Sequence, residues 1–128
     1  MTKPKSQPIL VTGTSSGIGA HLAHYLAARG HPVYATARKE EDLEALAQFE
    51  NVTPIQLDVR DPKQIQAARE LILKQGVGLY GLVNNAGIGG LGMFSTWTDE
   101  EMFEIFDVNI CGPHRMTNAF GHRRLTQP

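Results

Sequence analysis

Apolar and polar positions alternate between two periods along this chain. Pro8-Ile9-Leu10-Val11-Thr12 is a short apolar, β-branched run that stops at Gly13, which predicts a buried strand. From Gly17 the period becomes helical: Ile18, Leu22, Tyr25 and Leu26 fall at i, i+4, i+7 and i+8, predicting an inward stripe. Gly30 stands where a C-terminal helix cap belongs, and Pro32 bars continuation. Val33-Tyr34-Ala35-Thr36-Ala37 predicts a second strand. Residues 40–50 predict a second helix, with Leu43, Leu46 and Ala47 inward and acids in its first turn.

The alternation then repeats. Thr53-Pro54-Ile55-Gln56-Leu57-Asp58-Val59 predicts a third strand with Pro54 near its start, where a missing N–H does least harm. Asp61 and Pro62 suit the N-cap and first turn of a helix that buries Ile65, Ala68 and Ile72 and closes at Gly76. Residues 79–86 predict a fourth strand. After a glycine-rich loop, Thr98 and Glu101 form a capping box ahead of a helix with Met102, Ile105, Phe106, Asn109 and Ile110 on one side. Strands alternating with helices over short connections imply an α/β fold, a doubly wound parallel sheet of the Rossmann type, ending after about four strands. The expected organisation is a leader at residues 1–7, one nucleotide-binding unit at 8–120, and an irregular tail at 121–128.

The strand-to-helix junction at Thr12-Gly13-Thr14-Ser15-Ser16-Gly17-Ile18-Gly19 carries the first chemistry. Free N–H groups at a helix N-terminus, with the helix dipole behind them, suit a pyrophosphate. Gly13 permits the turn, Gly17 lets backbone approach the phosphates, and Gly19 lets helix and strand pack closely. Ser15 and Ser16 add hydroxyls. The spacing is Gly-x-x-x-Gly-x-Gly rather than Gly-x-Gly-x-x-Gly. No Lys-Ser/Thr follows the glycines, which excludes a P-loop. About twenty residues on, an acid would take the ribose 2′-hydroxyl of NAD. Here Ala37, Arg38 and Lys39 stand there instead, and no acid ends the second strand as a methyltransferase would want. An arginine at that point pairs with a 2′-phosphate, which favours NADP over NAD.

Composition adds little and excludes more. The 128 residues are 41% hydrophobic and 20% charged, with a formal net charge of −1, so no broad basic field invites nucleic acid. Apolar runs of four or five residues are far short of a membrane span. The N-terminus lacks the apolar core of a signal peptide. A lone cysteine, Cys111, forms no internal disulfide, and the five histidines show no metal-ligand spacing, so no metal is expected and a reducing, cytoplasmic setting is.

Taken together, residues 12–19, Asn84-Asn85-Ala86-Gly87 and Asn109 resemble the short-chain dehydrogenase/reductase family, over about residues 8–120. The resemblance covers what would be the N-terminal half of such a protein. It implies hydride transfer between NADP(H) and a carbonyl or alcohol carbon of a small molecule. It places Asp58 against the adenine ring beside Val59, has Asn85, Ala86 and Gly87 line the cofactor, and gives Asn84 the task of tying the central sheet. Asn109 matches the asparagine of the family's Asn-Ser-Tyr-Lys set, whose main-chain carbonyl holds a water in the proton relay. Pro113 has no N–H to give that carbonyl, which frees it, and Gly112 would ease a kink. The family also pairs through this helix, which implies a homo-oligomer. Residues 57–70 and 109–117 look nearest the branch acting on steroids and retinoids.

One part of the pattern is missing. Tyr25, Tyr34 and Tyr80 each lack a lysine four residues later, so the Tyr-x-x-x-Lys general acid/base pair is absent from the chain as given. All three tyrosines are expected to pack in helix or strand core. The chain alone is therefore expected to turn nothing over. An alternative is a non-catalytic nucleotide-binding or interaction module, with the fourth strand as an unpaired edge.

Overall fold

Buried apolar runs have to pair on both edges, and they do so in parallel. A computed structural model describes residues 7–121. Strands β1 (Ile9–Val11), β2 (Val33–Ala37), β3 (Val52–Gln56) and β4 (Gly81–Val83) form one parallel sheet in the order β3-β2-β1-β4. Leu10 lies opposite Tyr34 on one side and Leu82 on the other. β1 is thus the strand from which the chain winds out in both directions, and its carboxyl end is the switch point where such sheets bind ligands.

The period of two in the strands divides the core into two layers. Val11, Val33, Ala35 and Ala37 face α1 (Gly17–Ala28) and α2 (Glu40–Leu46), with Ala23, Ala27 and Leu46 opposite. Leu10, Tyr34 and Ile55 face α3 (Pro62–Lys74) and α5 (Gly112–Phe120), against Ile72, Met116 and Phe120. Asp61 caps α3 by accepting from the Lys63 N–H at 2.9 Å, and Ile65, Ala68 and Ile72 are its buried face, as expected. Thr98 and Glu101 form the expected capping box of α4 (Asp99–Phe106).

Several expectations change. The strands at β3 and β4 are shorter than the apolar runs, and Leu57 and Val59 are buried just beyond the end of β3. Pro54 sits mid-strand; it is tolerated because β3 is an edge. α2 stops at Leu46, leaving Ala47 exposed. The buried face of α1 is Gly19, Ala23 and Ala27, while Ile18 is 79% exposed and Tyr25 points outward. Close packing on the sheet selects small residues there and turns the bulky ones out. Tyr80 is likewise exposed, and of the three tyrosines only Tyr34 is core.

The largest difference lies after α4. The helix continues through a π turn, Asp107–Cys111, before α5 begins. The Gly112 N–H reaches back five residues to the Asp107 carbonyl. One extra residue in a turn rotates everything after it by about 100°. Hence Val108, Gly112, Met116 and Phe120 are buried, while Ile110 is exposed rather than inward; Phe106, which ends α4 before the turn, is exposed as well. Pro113 falls in the first turn of α5, where a missing N–H is tolerated, and no break in the helix accompanies it. The expected leader and tail fall almost wholly outside the described residues.

Candidate functional site

Thr12 builds the mouth of the site. Its Oγ1 accepts from the Asn85 N–H at 3.0 Å and the Ala86 N–H at 2.9 Å, and donates to the Val83 carbonyl at 3.4 Å. Asn85 answers with its side-chain amide, which donates to the Thr12 and Gly13 carbonyls. Thr14 donates its N–H and its hydroxyl to the Thr36 carbonyl. The turn after β1 is therefore tied to β4 on one side and β2 on the other, with every link buried or half-buried.

The glycines act as expected of close packing. Gly13 has φ +68°, and a Cβ there would lie 2.7 Å from the Ala86 Cα. A Cβ on Gly19 would overlap the Gly13 carbonyl oxygen and the Asn85 amide nitrogen. Gly17 has φ +60° but faces open space, which leaves the backbone at the start of α1 approachable. Ser16 is the N-cap of α1, its side chain makes no capping bond, and the first turn holds no acid. Nothing there competes for an anion at the helix N-terminus.

A cleft of about 220 Å³ opens over this turn. Gly13, Ser15 and Ser16 form one end, Asn85, Ala86, Gly87 and Ile88 one wall, and Thr36, Ala37, Arg38, Leu57, Asp58, Val59 and Val108 the rest. Of the residues singled out in the sequence, Gly17, Ile18, Gly19 and Asn109 do not line it. Gly19 works beneath the turn, and Ile18 projects outward. Thr36, Ala37, Leu57, Ile88 and Val108 line the cleft without having been singled out. The first two end the strand before Arg38 and follow from the rule that ligands sit at carboxyl strand ends. Val108 had no signal, because its position depends on the π turn.

The charged residues of the lining are Arg38 and Asp58. Arg38 is exposed and enters no ion pair among the described residues. Asp58 is engaged by Arg60: its Oδ1 accepts from the Arg60 N–H and Nε, and its Oδ2 from Nη2 at 2.8 Å. That hydrogen bonding, helped by the nearby charge of Arg38, holds the Asp58 carboxyl below the usual carboxylate range against the cost of burial. The Asp58 N–H donates to the Gln64 side chain. Arg60 continues to Glu104 on α4 at 2.9 Å. Asp58 is thus a half-buried anchor for Arg60 as well as part of the cleft wall.

Asn109 meets the cleft through its neighbours. Its Oδ1 accepts from the Ile88 N–H at 2.8 Å and its Nδ2 donates to the Ile88 carbonyl at 2.7 Å. The π turn that carries Asn109 also carries Val108, and both Val108 and Ile88 line the cleft. Asn84 links β4 to α5 by donating to the Thr117 hydroxyl at 3.3 Å. Among the described residues no group of three or more His, Cys, Asp or Glu could hold a metal ion, and no helix is long and apolar enough to cross a membrane.

Comparison with known proteins agrees with this geometry. A family model described as short chain dehydrogenase matches residues 7–124. Short-chain dehydrogenase PC-15 of Penicillium crustosum is 44% identical over 114 residues, 88% of this chain and 42% of that protein. Human 17-beta-hydroxysteroid dehydrogenase type 1 is 41% identical over 123 residues, 88% of this chain and 37% of that protein. The NADPH-bound carbonyl reductase from chicken fatty liver superposes with a TM-score of 0.82 at 31% identity, over 95% of this chain and 52% of the other. The chain spans less than half the length of these two curated relatives.

Proposed function

The chain belongs to the short-chain dehydrogenase/reductase family, and on that premise we propose that its cleft holds the adenosine diphosphate end of NADP(H). The observation that carries this is the convergence on one cleft of Gly13, Ser15 and Ser16 at the uncapped N-terminus of α1 and of Arg38, which enters no ion pair among the described residues. These residues fit the group. Helix N–H groups and the Ser15 and Ser16 hydroxyls meet a pyrophosphate, Arg38 meets a 2′-phosphate, and Val59 with Asp58 receives the adenine. The NADPH-bound relative supports the phosphorylated cofactor over NAD.

In the whole protein the reaction is hydride transfer to or from a carbonyl or alcohol carbon, and the bound cofactor supplies or takes the hydride. This chain's part is binding and positioning. Asn85 and Thr12 fix the turn, Asn109 fixes Ile88 with its side chain, and its carbonyl, which Pro113 cannot engage, holds a water for proton relay. Arg38 selects the cofactor. Small lipophilic alcohols and ketones are the substrate class, a reading supported by the steroid-acting human relative. No Tyr-x-x-x-Lys pair occurs in the chain as given, so turnover by these 128 residues alone is not expected. We place the protein in the cytoplasm, as a homo-oligomer pairing through the helix that carries Asn109, with residues 8–120 as the binding unit.

A second reading, a non-catalytic binding or interaction module, draws on the open edge of β4 and on Phe103 and Ile110, which lie exposed on the α4 side. Titration with 2′-phospho-ADP-ribose and ADP-ribose separates the two cofactors. The phosphorylated ligand should bind about tenfold more tightly, in line with a charge-assisted hydrogen bond, and Arg38→Ala should erase the difference. Equal affinities in the native chain would remove the case for NADP, and no binding of either would remove the nucleotide reading.

A further inference from the structure

We propose that Arg115 is a positioning residue that holds the Asp107–Cys111 π turn and locks it to the nucleotide cleft. A π turn is an uncommon state of a helix. It widens the ring of backbone bonds, exposes carbonyls, and competes with a regular α-helical register shifted by one residue. Something has to keep it. Arg115 sits one turn further along, on α5, and folds back over it. Its Nη2 lies 2.6 Å from the Asp107 Oδ1, and its Nη1 donates to the Asp107 carbonyl at 3.4 Å. The same Nη1 reaches across to the Val59 carbonyl at 3.3 Å. The planar fork of a guanidinium makes these bonds together, which a lysine ammonium on a flexible stem cannot do in the same geometry.

Val59 is the other half of the lock. It lines the cleft, and its side chain touches the helix backbone where the π turn ends. A Cβ on Gly112 would lie 2.7 Å from the Val59 Cγ2. Arg60 ties the same segment to the helix before the turn, joining Asp58 to Glu104 on α4. The segment Asp58-Val59-Arg60 is therefore clasped on both sides of the turn that carries Val108 and Asn109. Pressure of a ligand on Val59 is pressure on that turn. Collapse of the turn to a regular register would swing Asn109 off Ile88, so the Arg115 bonds also maintain the Asn109–Ile88 pair.

Amide hydrogen exchange of the 128-residue chain tests both halves. Without ligand, Arg115→Met should speed exchange at Gly112 by about fivefold or more, with Ile72 on α3 unchanged. The control Arg69→Met, which removes a bond to the Ala119 carbonyl at the far end of α5, should leave Gly112 alone. Equal exchange at Gly112 in the native and Arg115→Met chains would overturn the proposal. With 2′-phospho-ADP-ribose, the native chain should show slowed exchange at Gly112 as well as at residues 13–19, and Arg115→Met should keep only the second. The coupling half rests on the dinucleotide reading, and the two fail differently. Protection of residues 13–19 without protection of Gly112 in the native chain refutes the coupling. No protection anywhere refutes the ligand, while the ligand-free comparison still decides the turn. Should Arg115→Met not fold, Asp107→Asn and Arg115→Lys carry the same two readings, and neither should restore native exchange.

Discussion

The two ends of the cleft are built by different means. At the end proposed for the phosphates, Gly13, Gly17, Gly19, Thr12 and Asn85 work through backbone shape and neutral hydrogen bonds. At the end proposed for the adenine, Asp58 lines the cleft, and Arg60, Glu104, Asp107 and Arg115 brace the segment behind it through half-exposed charges. Sterics and buried hydrogen bonds lose energy steeply when disturbed, whereas solvated ion pairs lose little and depend on salt. The phosphate end should therefore govern stability. The adenine end should govern the placement of the π turn and, through Arg38 beside Asp58, selectivity.

The comparison is most easily broken at Gly19. Gly19→Ala drives a methyl group into the Gly13 carbonyl and the Asn85 amide, which are backbone and a fixed side chain. An overpacked site of this kind should cost about 3 kcal/mol in urea unfolding, at the upper end for such changes. Gly17→Ala meets no atom and pays only for its positive φ, about 1–2 kcal/mol. If the two variants cost the same, the turn is not held by the packing described, and the contrast between its glycines fails.

Thr12→Val comes next. The shape is kept, but the Ala86 N–H loses its acceptor in a half-buried place, and the Asn85 N–H keeps only the Val83 carbonyl at 3.1 Å. The expected loss is about 2 kcal/mol, the penalty for a stranded donor, and Thr12→Ser should recover most of it. A serine no better than valine would mean that the hydroxyl is not the link between β1 and β4. Binding of 2′-phospho-ADP-ribose should weaken in parallel, because the same bonds shape the turn.

That contrast also explains what could be read from the sequence. The phosphate end is local: a strand, eight residues of turn and a helix, with the glycines in the order the turn needs. Its partners Asn85, Ala86 and Gly87 form a second short motif, and the capping groups Asp61 and Thr98 depend on residues two or three positions away. The adenine end is tertiary. Arg60 meets Glu104 across 44 positions, and Arg115 meets Val59 across 56. No periodicity announces either pair. A pattern with a fixed period of 3.6 also cannot contain a π turn, which is why Ile110 is grouped on one side with Met102 and Ile105 and Val108 is not. In α1 the fault was different. Apolar spacing marked Ile18 and Tyr25 as core, but the distance between helix and sheet admits only Gly19, Ala23 and Ala27 on that face.

The smallest effect belongs to Asp58, and it sharpens the comparison through pH. Arg60 holds the Asp58 carboxyl below its ordinary value in the folded chain, so the unfolded chain binds that proton first on acidification. The stabilisation from this group is complete above the ordinary carboxylate range, near pH 4, and disappears as pH falls through the lower folded value. Asp58→Asn removes the titration. Its unfolding free energy in urea should sit slightly below the native one at neutral pH, by less than about 1 kcal/mol for a pair this exposed. The two chains should converge as the medium turns acid, and added salt should narrow the neutral gap. A native-to-variant gap that widens on acidification would have the wrong sign for a salt-bridged carboxylate. It would place Asp58 with the buried, neutral groups of the phosphate end and dissolve the division between the two.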